Sequence, residues 1–189
     1  AHLAGWECRN NRLAWLALAQ DGVLEQLATL VGRYGADRIA VVIGTSTSSI
    51  GATEDAYARL TDDGRFPPDL RRPGIHTPHS LGGFVKAATG LAGPCITVAT
   101  ACSSSAKVFA QAARLIQAGL VDAALVGGVD TLCGSVLYGF NALGLVSANP
   151  CMPFDARRDG LSLGEAGGFA LLSRDDDDAD AACPRLLGY

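Results

Sequence analysis

Three short apolar runs constrain the architecture of this 189-residue chain more tightly than any other feature: residues 38–45 (RIAVVIGT), 95–100 (CITVAT) and 122–127 (DAALVG). Each is apolar at consecutive positions rather than at alternate ones. A strand with water on one side alternates. A strand apolar on both sides is buried on both faces, as parallel strands covered by helices are. The segments between them carry helical spacing. Residues 9–20 place Leu13, Leu16 and Ala17 on one face, and residues 23–34 place Leu24, Leu27, Leu30 and Val31 together, with Gly35 as a stop. Residues 51–60 and 135–143 also read as helices. Ser80 is placed to cap a helix running to Gly90. Residues 103–119 form the strongest helical pattern, with Ala106, Phe109, Ala110, Ala113 and Ile116 in register and Gly119 as C-cap.

Alternating strands and helices predict an α/β fold, a mostly parallel sheet with helices on both faces. Further strands are expected at 167–173 and 185–187, with Asp175, Asp176, Asp177, Asp178 and Asp180 in a solvated turn between them. Residues 61–78 hold Asp-Gly, Pro-Pro and two more prolines, and read as loop. No repeat or low-complexity linker divides the chain, so residues 1–189 are expected to form one domain. Glycine, at 23 residues, exceeds the typical share of roughly 7%, as tight strand-to-helix turns require.

Several functions are disfavoured. A net charge of −4, with no Lys/Arg run, argues against nucleic acid as a partner. No apolar stretch reaches the roughly eighteen residues of a membrane span, and nothing resembles a signal peptide. The six cysteines lack CxxC spacing and only three histidines are present, so no metal or other cofactor is expected. A reducing, cytoplasmic compartment and free thiols are the simplest reading. Cys95, Cys133 and Cys183 sit in or beside apolar segments and read as small buried hydrophobes.

Cys102 differs. It stands where the apolar run 95–100 ends and the helix 103–119 begins, inside Thr100-Ala101-Cys102-Ser103-Ser104-Ser105. That places a thiol at the C-terminal edge of a parallel sheet, where α/β proteins put their sites. A helix N-terminus favours thiolate over thiol. Unpaired amides there, including that of Cys102, can bind the oxygen of a tetrahedral intermediate. The small neighbours leave room for a long acyl group. On local physics alone, an acyl-accepting nucleophile and a structural cysteine remain equally open. An α/β-hydrolase elbow would need glycines where Thr100 and Ser104 stand.

The stretch GPCITVATACSSSAKVFAQAARLIQAG resembles the nucleophile region of β-ketoacyl synthases. DAALVGGVD at 122–130 resembles the family's next strand and Gly-Gly turn. PFDARRDGLSLGEAGGFALL at 153–172 is similar to its PFD-x-x-R-x-G segment, and GTSTSSIG at 44–51 to an earlier Gly/Ser-rich turn. The resemblance implies the N-terminal half of a thiolase-like fold, usually dimeric. It implies that Cys102 takes an acyl group from acyl carrier protein and that its N–H is one oxyanion donor. A decarboxylative Claisen condensation with malonyl carrier protein would follow, in fatty acid or polyketide synthesis. Where the family often reads GEGAG, the chain has Gly164-Glu165-Ala166-Gly167-Gly168.

The family's two catalytic histidines, its lysine and the second oxyanion donor belong to a second half that this chain does not include. His2, His76 and His79 match none of them. The resemblance also implies a first strand ahead of residue 9. The chain is therefore expected to be cut at both ends, inactive alone, and uncovered on one sheet face. A non-catalytic, chain-length-factor type partner of a heterodimer is the alternative, together with an isolated inactive half. Thr47, Ile50 and Phe140 are candidates to line an acyl tunnel or dimer contact. Asp155, Arg157, Asp159 and Glu165 are candidates for one ion-pair cluster bracing the site. Phe154 is expected in the core.

Overall fold

The computed structural model describes residues 3–174 and 183–188. Its centre is a four-stranded sheet: β1 (Ile39–Gly44), β2 (Cys95–Val98), β3 (Ala123–Asp130) and β4 (Ala166–Ser173), in the order β2-β1-β3-β4. β1 runs parallel to both β2 and β3, with Val42 opposite Ile96 and Val126. β4 is antiparallel to β3 and forms an edge. The helices are α1 (Arg9–Leu18), α2 (Val23–Tyr34), α3 (Ile50–Tyr57), α4 (Ser80–Thr89), α5 (Ser104–Gln117) and α6 (Gly134–Ala142).

The two-sided apolar runs do what their pattern requires. On one face Ile39, Val41, Ile43, Leu125 and Val129 pack under α1, α2 and α4. On the other, Ala40, Val42, Ala124 and Val126 pack under α5. Every residue of β1 is buried. The expectation of one uncovered sheet face is thus corrected: both faces of the central strands are covered, and exposure concentrates at the outer strands, β4 and the half-buried β2. At the end of α5, Gly119 takes φ +70°, and the N–H groups of Gly119 and Leu120 bond back to Ile116 and Leu115, which closes the helix as a left-handed glycine cap does.

Several expectations change. In α1 the core face is Ala14 and Leu18, while Leu16 is exposed. In α5 the buried face is centred on Val108, Ala112, Leu115 and Ile116, and Ala106 is exposed. The sheet takes a different stripe of the helix from the one that the Ala and Phe spacing suggested. Ser80 does not cap α4; it is the first helical residue, and its buried hydroxyl has no hydrogen-bond partner among the described residues. Residues 185–187 pair with no strand among the described residues. The aspartate run at 175–178 and Asp180 lies outside the described residues. Phe154 is fully exposed at φ +67°, because its loop leaves the sheet and nothing among the described residues covers it.

Candidate active site

Between β2 and α5 the chain makes one 3₁₀ turn, Ala101–Ser103, and Cys102 sits exposed at its middle. Ala101 adopts φ +54°, a left-handed conformation that costs a residue with a Cβ roughly 1–2 kcal/mol. Hydroxyl contacts hold the turn, including one of 3.1 Å between Thr100 Oγ1 and Ser103 Oγ. Ser104 Oγ accepts from Thr100 N–H at 2.9 Å and donates to the Ala101 carbonyl at 2.6 Å. Ser103 Oγ donates to the Thr100 carbonyl at 3.0 Å. The small residues of TACSSS therefore act as the brace of the turn as well as leaving space around it.

The start of α5 is pressed against the sheet. A Cβ on Gly44 would lie 2.6 Å from the Ser104 carbonyl carbon and 2.7 Å from Ser105 N. A Cβ on Gly128 would lie 2.1 Å from Ser105 Oγ. Glycine at these two positions lets β1 meet the helix N-terminus backbone to backbone and β3 meet it backbone to side chain. The N-cap residue Ser103 makes no side-chain cap bond, so the leading amides of α5 are not taken up by it. The arrangement offers an exposed thiol at a helix N-terminus, which suits attack on a thioester carbonyl.

The other thiols occupy different settings. Cys8 and Cys133 are buried and Cys95 is half-buried, and burial pushes all three thiols up. Cys183 is exposed, contrary to expectation. Its apolar neighbours Leu186 and Leu187 are exposed too, so no core gathers there. Cys151 is pulled down by hydrogen bonding with Ser162.

The loop after β1 is organised by Asp130, which sequence reasoning did not single out. One oxygen, Oδ1, accepts from Thr45 Oγ1 (2.8 Å), Ser46 N–H (2.7 Å), Thr47 N–H (2.8 Å) and Thr47 Oγ1 (2.8 Å). The signal was present: a carboxylate closes the GGVD strand beside a loop made almost wholly of Ser and Thr donors. Thr47 is buried, and its hydroxyl also accepts from Thr131 N–H at 3.1 Å. Its polar capacity is spent inside the fold. Ile50 is 38% exposed at the start of α3. Thr47, Ile50, Tyr57 and His76 line a cleft of about 380 Å³ that reaches Ala99 in the turn before Cys102. Phe140, half-buried on α6, is not among the lining residues of that cleft.

His76 is tied down. Its Nδ1 lies 2.9 Å from Thr53 Oγ1 and its Nε2 2.7 Å from the Leu70 carbonyl, with Phe66 beside the ring. His79 Nδ1 lies 2.8 Å from Thr97 Oγ1. Both are loop-holding residues. The expected four-residue ion-pair cluster does not form. Asp155 pairs with Arg157, and Asp159 accepts from Ser147 Oγ at 2.6 Å. Glu165 instead receives Arg9 through two bonds (2.6 and 2.7 Å) and Leu132 N–H at 2.9 Å. Arg9 is far away in sequence, which is why proximity along the chain misled. Among the described residues, no group of three His, Cys, Asp or Glu is placed to hold a metal ion, and no helix is long and apolar enough to cross a membrane.

A mixed sheet with an exposed thiol on the turn into its covering helix is compatible with the thiolase-like ketosynthase fold. The solved structures agree: one chain of the complex of a ketosynthase with its chain length factor from Xenorhabdus doucetiae superposes with a TM-score of 0.80 at 35% identity, over 93% of this chain and 44% of that one. Nodulation protein E of Rhizobium meliloti strain 1021 is 32% identical over 164 residues, covering 86% of this chain and 41% of the relative. The 3-oxoacyl-[acyl-carrier-protein] synthase 2 of Staphylococcus aureus is 30% identical over 149 residues, covering 72% of this chain and 36% of the relative. The family model for the beta-ketoacyl synthase N-terminal domain matches residues 11–178. The chain belongs to the beta-ketoacyl synthase family, and it spans less than half the length of these relatives.

Proposed function

We propose that this chain is the nucleophile-bearing half of a β-ketoacyl-acyl-carrier-protein synthase of fatty acid or polyketide synthesis. The observation that carries the reading is the exposed thiol of Cys102 on a braced, left-handed turn at the N-terminus of α5. The Cys102 thiolate attacks the carbonyl of an acyl carrier protein thioester, and amides at the start of α5, that of Cys102 among them, take the developing oxyanion. The carbon–sulfur bond to the carrier breaks, and the carrier thiol leaves with the proton that Cys102 lost. Malonyl carrier protein then loses carbon dioxide, and its carbanion attacks the acyl-Cys102 thioester. The bond to Cys102 breaks and the thiolate is restored.

The decarboxylating histidines and the lysine come from the second half that the family resemblance implies, so the 189-residue piece alone is inactive in condensation. The whole protein works as a homodimer or with a ketoacyl-synthase-like partner, in a reducing cytoplasmic compartment consistent with six free cysteines. The test is condensation by the full-length protein with acyl and malonyl carrier proteins. Cys102→Ala abolishes product while Cys133→Ala retains it. Equal loss in both variants overturns the assignment, and no activity in the wild type favours the chain-length-factor reading.

A further inference from the structure

The helix α6 has no fully buried residue; Val136 and Phe140 are half-buried, and its N-cap residue Cys133 is buried. Glu54, on α3, reaches across to its first turn. Its carboxylate accepts from Gly134 N–H at 2.8 Å, Ser135 N–H at 2.7 Å and Ser135 Oγ at 2.5 Å. Cys133, the N-cap residue, makes no side-chain cap bond, so Glu54 performs that task from another helix. The negative charge meets the positive end of the helix dipole. The hydrogen bonds from Ser135 hold the carboxyl below the usual carboxylate range. The site is close-fitting, since a Cβ on Gly134 would come within 3.2 Å of Glu54 Oε2.

This tie bears on the cleft that reaches Ala99. Ile50, Glu54 and Tyr57 of α3 line that cleft together with Ser135 of α6. Where Ser135 sits relative to α3 therefore bears on how wide the cleft is. The capping carboxylate ties that first turn of α6 directly to α3. We infer that Glu54 is a positioning residue that sets the length of acyl chain accepted by the cleft that reaches Ala99. The inference rests on the proposed function, because it assumes that an acyl group on Cys102 extends into this cleft. Glu54 touches no reacting atom; it acts through α6.

The test uses the full-length protein and an equimolar mixture of butanoyl, octanoyl and dodecanoyl thioesters of N-acetylcysteamine, with the adducts on Cys102 quantified by mass spectrometry. Hydrogen exchange at Gly134 and Ser135 is measured alongside. In Glu54→Ala, these amides exchange about tenfold faster, the loss expected for a charge-assisted cap. The ratio of long to short adducts shifts by about threefold or more, a change that reports the cleft rather than folding alone. Glu54→Gln, which keeps the size and one accepting oxygen, falls between the wild type and Glu54→Ala and guards against a variant that does not fold. Asp55→Ala, at the exposed neighbouring position, leaves the ratio unmoved. A wild type that forms no adduct on Cys102 overturns the proposed function, and this inference with it. A wild type that acylates normally, with an unchanged chain-length ratio in both Glu54 variants, overturns this inference alone, even if exchange accelerates.

Discussion

Replacing Gly44 with alanine tests whether close contact between the sheet and α5 sets the position of the nucleophile. The added Cβ would stand 2.6 Å from the Ser104 carbonyl carbon, 2.7 Å from its oxygen and 2.7 Å from Ser105 N. Carbon atoms pack at about 3.5–4.0 Å, so the shortfall is about 1 Å. All three atoms are backbone, and no rotamer change relieves the clash. Either β1, buried along its whole length, moves, or the start of α5 does. The helix end is the softer element, and Cys102 moves with it. Overpacking of this kind costs about 1–3 kcal/mol of stability. A misplacement of about 1 Å at a reacting group costs on the order of 100-fold in rate. The assay is the rate of Cys102 acylation by an acyl thioester, paired with denaturant unfolding. Gly128→Ala is the internal comparison. Its nearest atom is Ser105 Oγ, the end of a side chain that can rotate, and the next are at 3.0 and 3.1 Å, so its effect is smaller on both readouts. The reasoning fails if Gly44→Ala acylates at the wild-type rate, or if Gly128→Ala is the more damaging of the two.

Three further outcomes are expected. Ala101→Val places a β-branched residue at φ +54° and lowers unfolding stability by about 1–3 kcal/mol by denaturant titration, whereas a change within error would mean the turn is not strained. Asp122 is held below the usual carboxylate range by its 2.8 Å hydrogen bond from Arg38, so the stability it contributes is present above its unfolded pKa and is lost as pH falls through the lower folded value. A plot of Tm against pH should accordingly show a shallower acid limb for Asp122→Asn, and superimposable acid limbs would refute the link. Phe154→Ser, at a fully exposed position, changes the stability of this domain by no more than about 0.5 kcal/mol, and a loss of several kcal/mol would show that Phe154 is buried after all.

The strands were legible because both sides of RIAVVIGT, CITVAT and DAALVG must be apolar in a sheet covered by helices, and the three runs became β1, β2 and β3. Their partner order and the antiparallel setting of β4 were not, since periodicity carries no neighbour information. Cys102 was legible as the residue joining a buried strand to a long helix. The reason its turn holds was less visible, because it depends on glycines in two other strands and on Ser104 bonding at once to Thr100 and Ala101. Asp130 and Glu54 were missed for the same reason. Each works across some eighty residues of chain, on donors that only the fold brings to it. Phe154 misled because an aromatic in an apolar-looking motif reads as core, while its burial depends on what lies over a loop, not on the loop's own sequence.

The central claim is that Cys102 accepts the acyl group. Its most direct measurement is to incubate the full-length protein with an acyl carrier protein thioester and to map the adduct by peptide mass spectrometry across the six cysteines. The account predicts acyl mass on the Cys102 peptide, with the buried Cys8 and Cys133 unmodified. Acylation at Cys151 or Cys133 in place of Cys102 would contradict it.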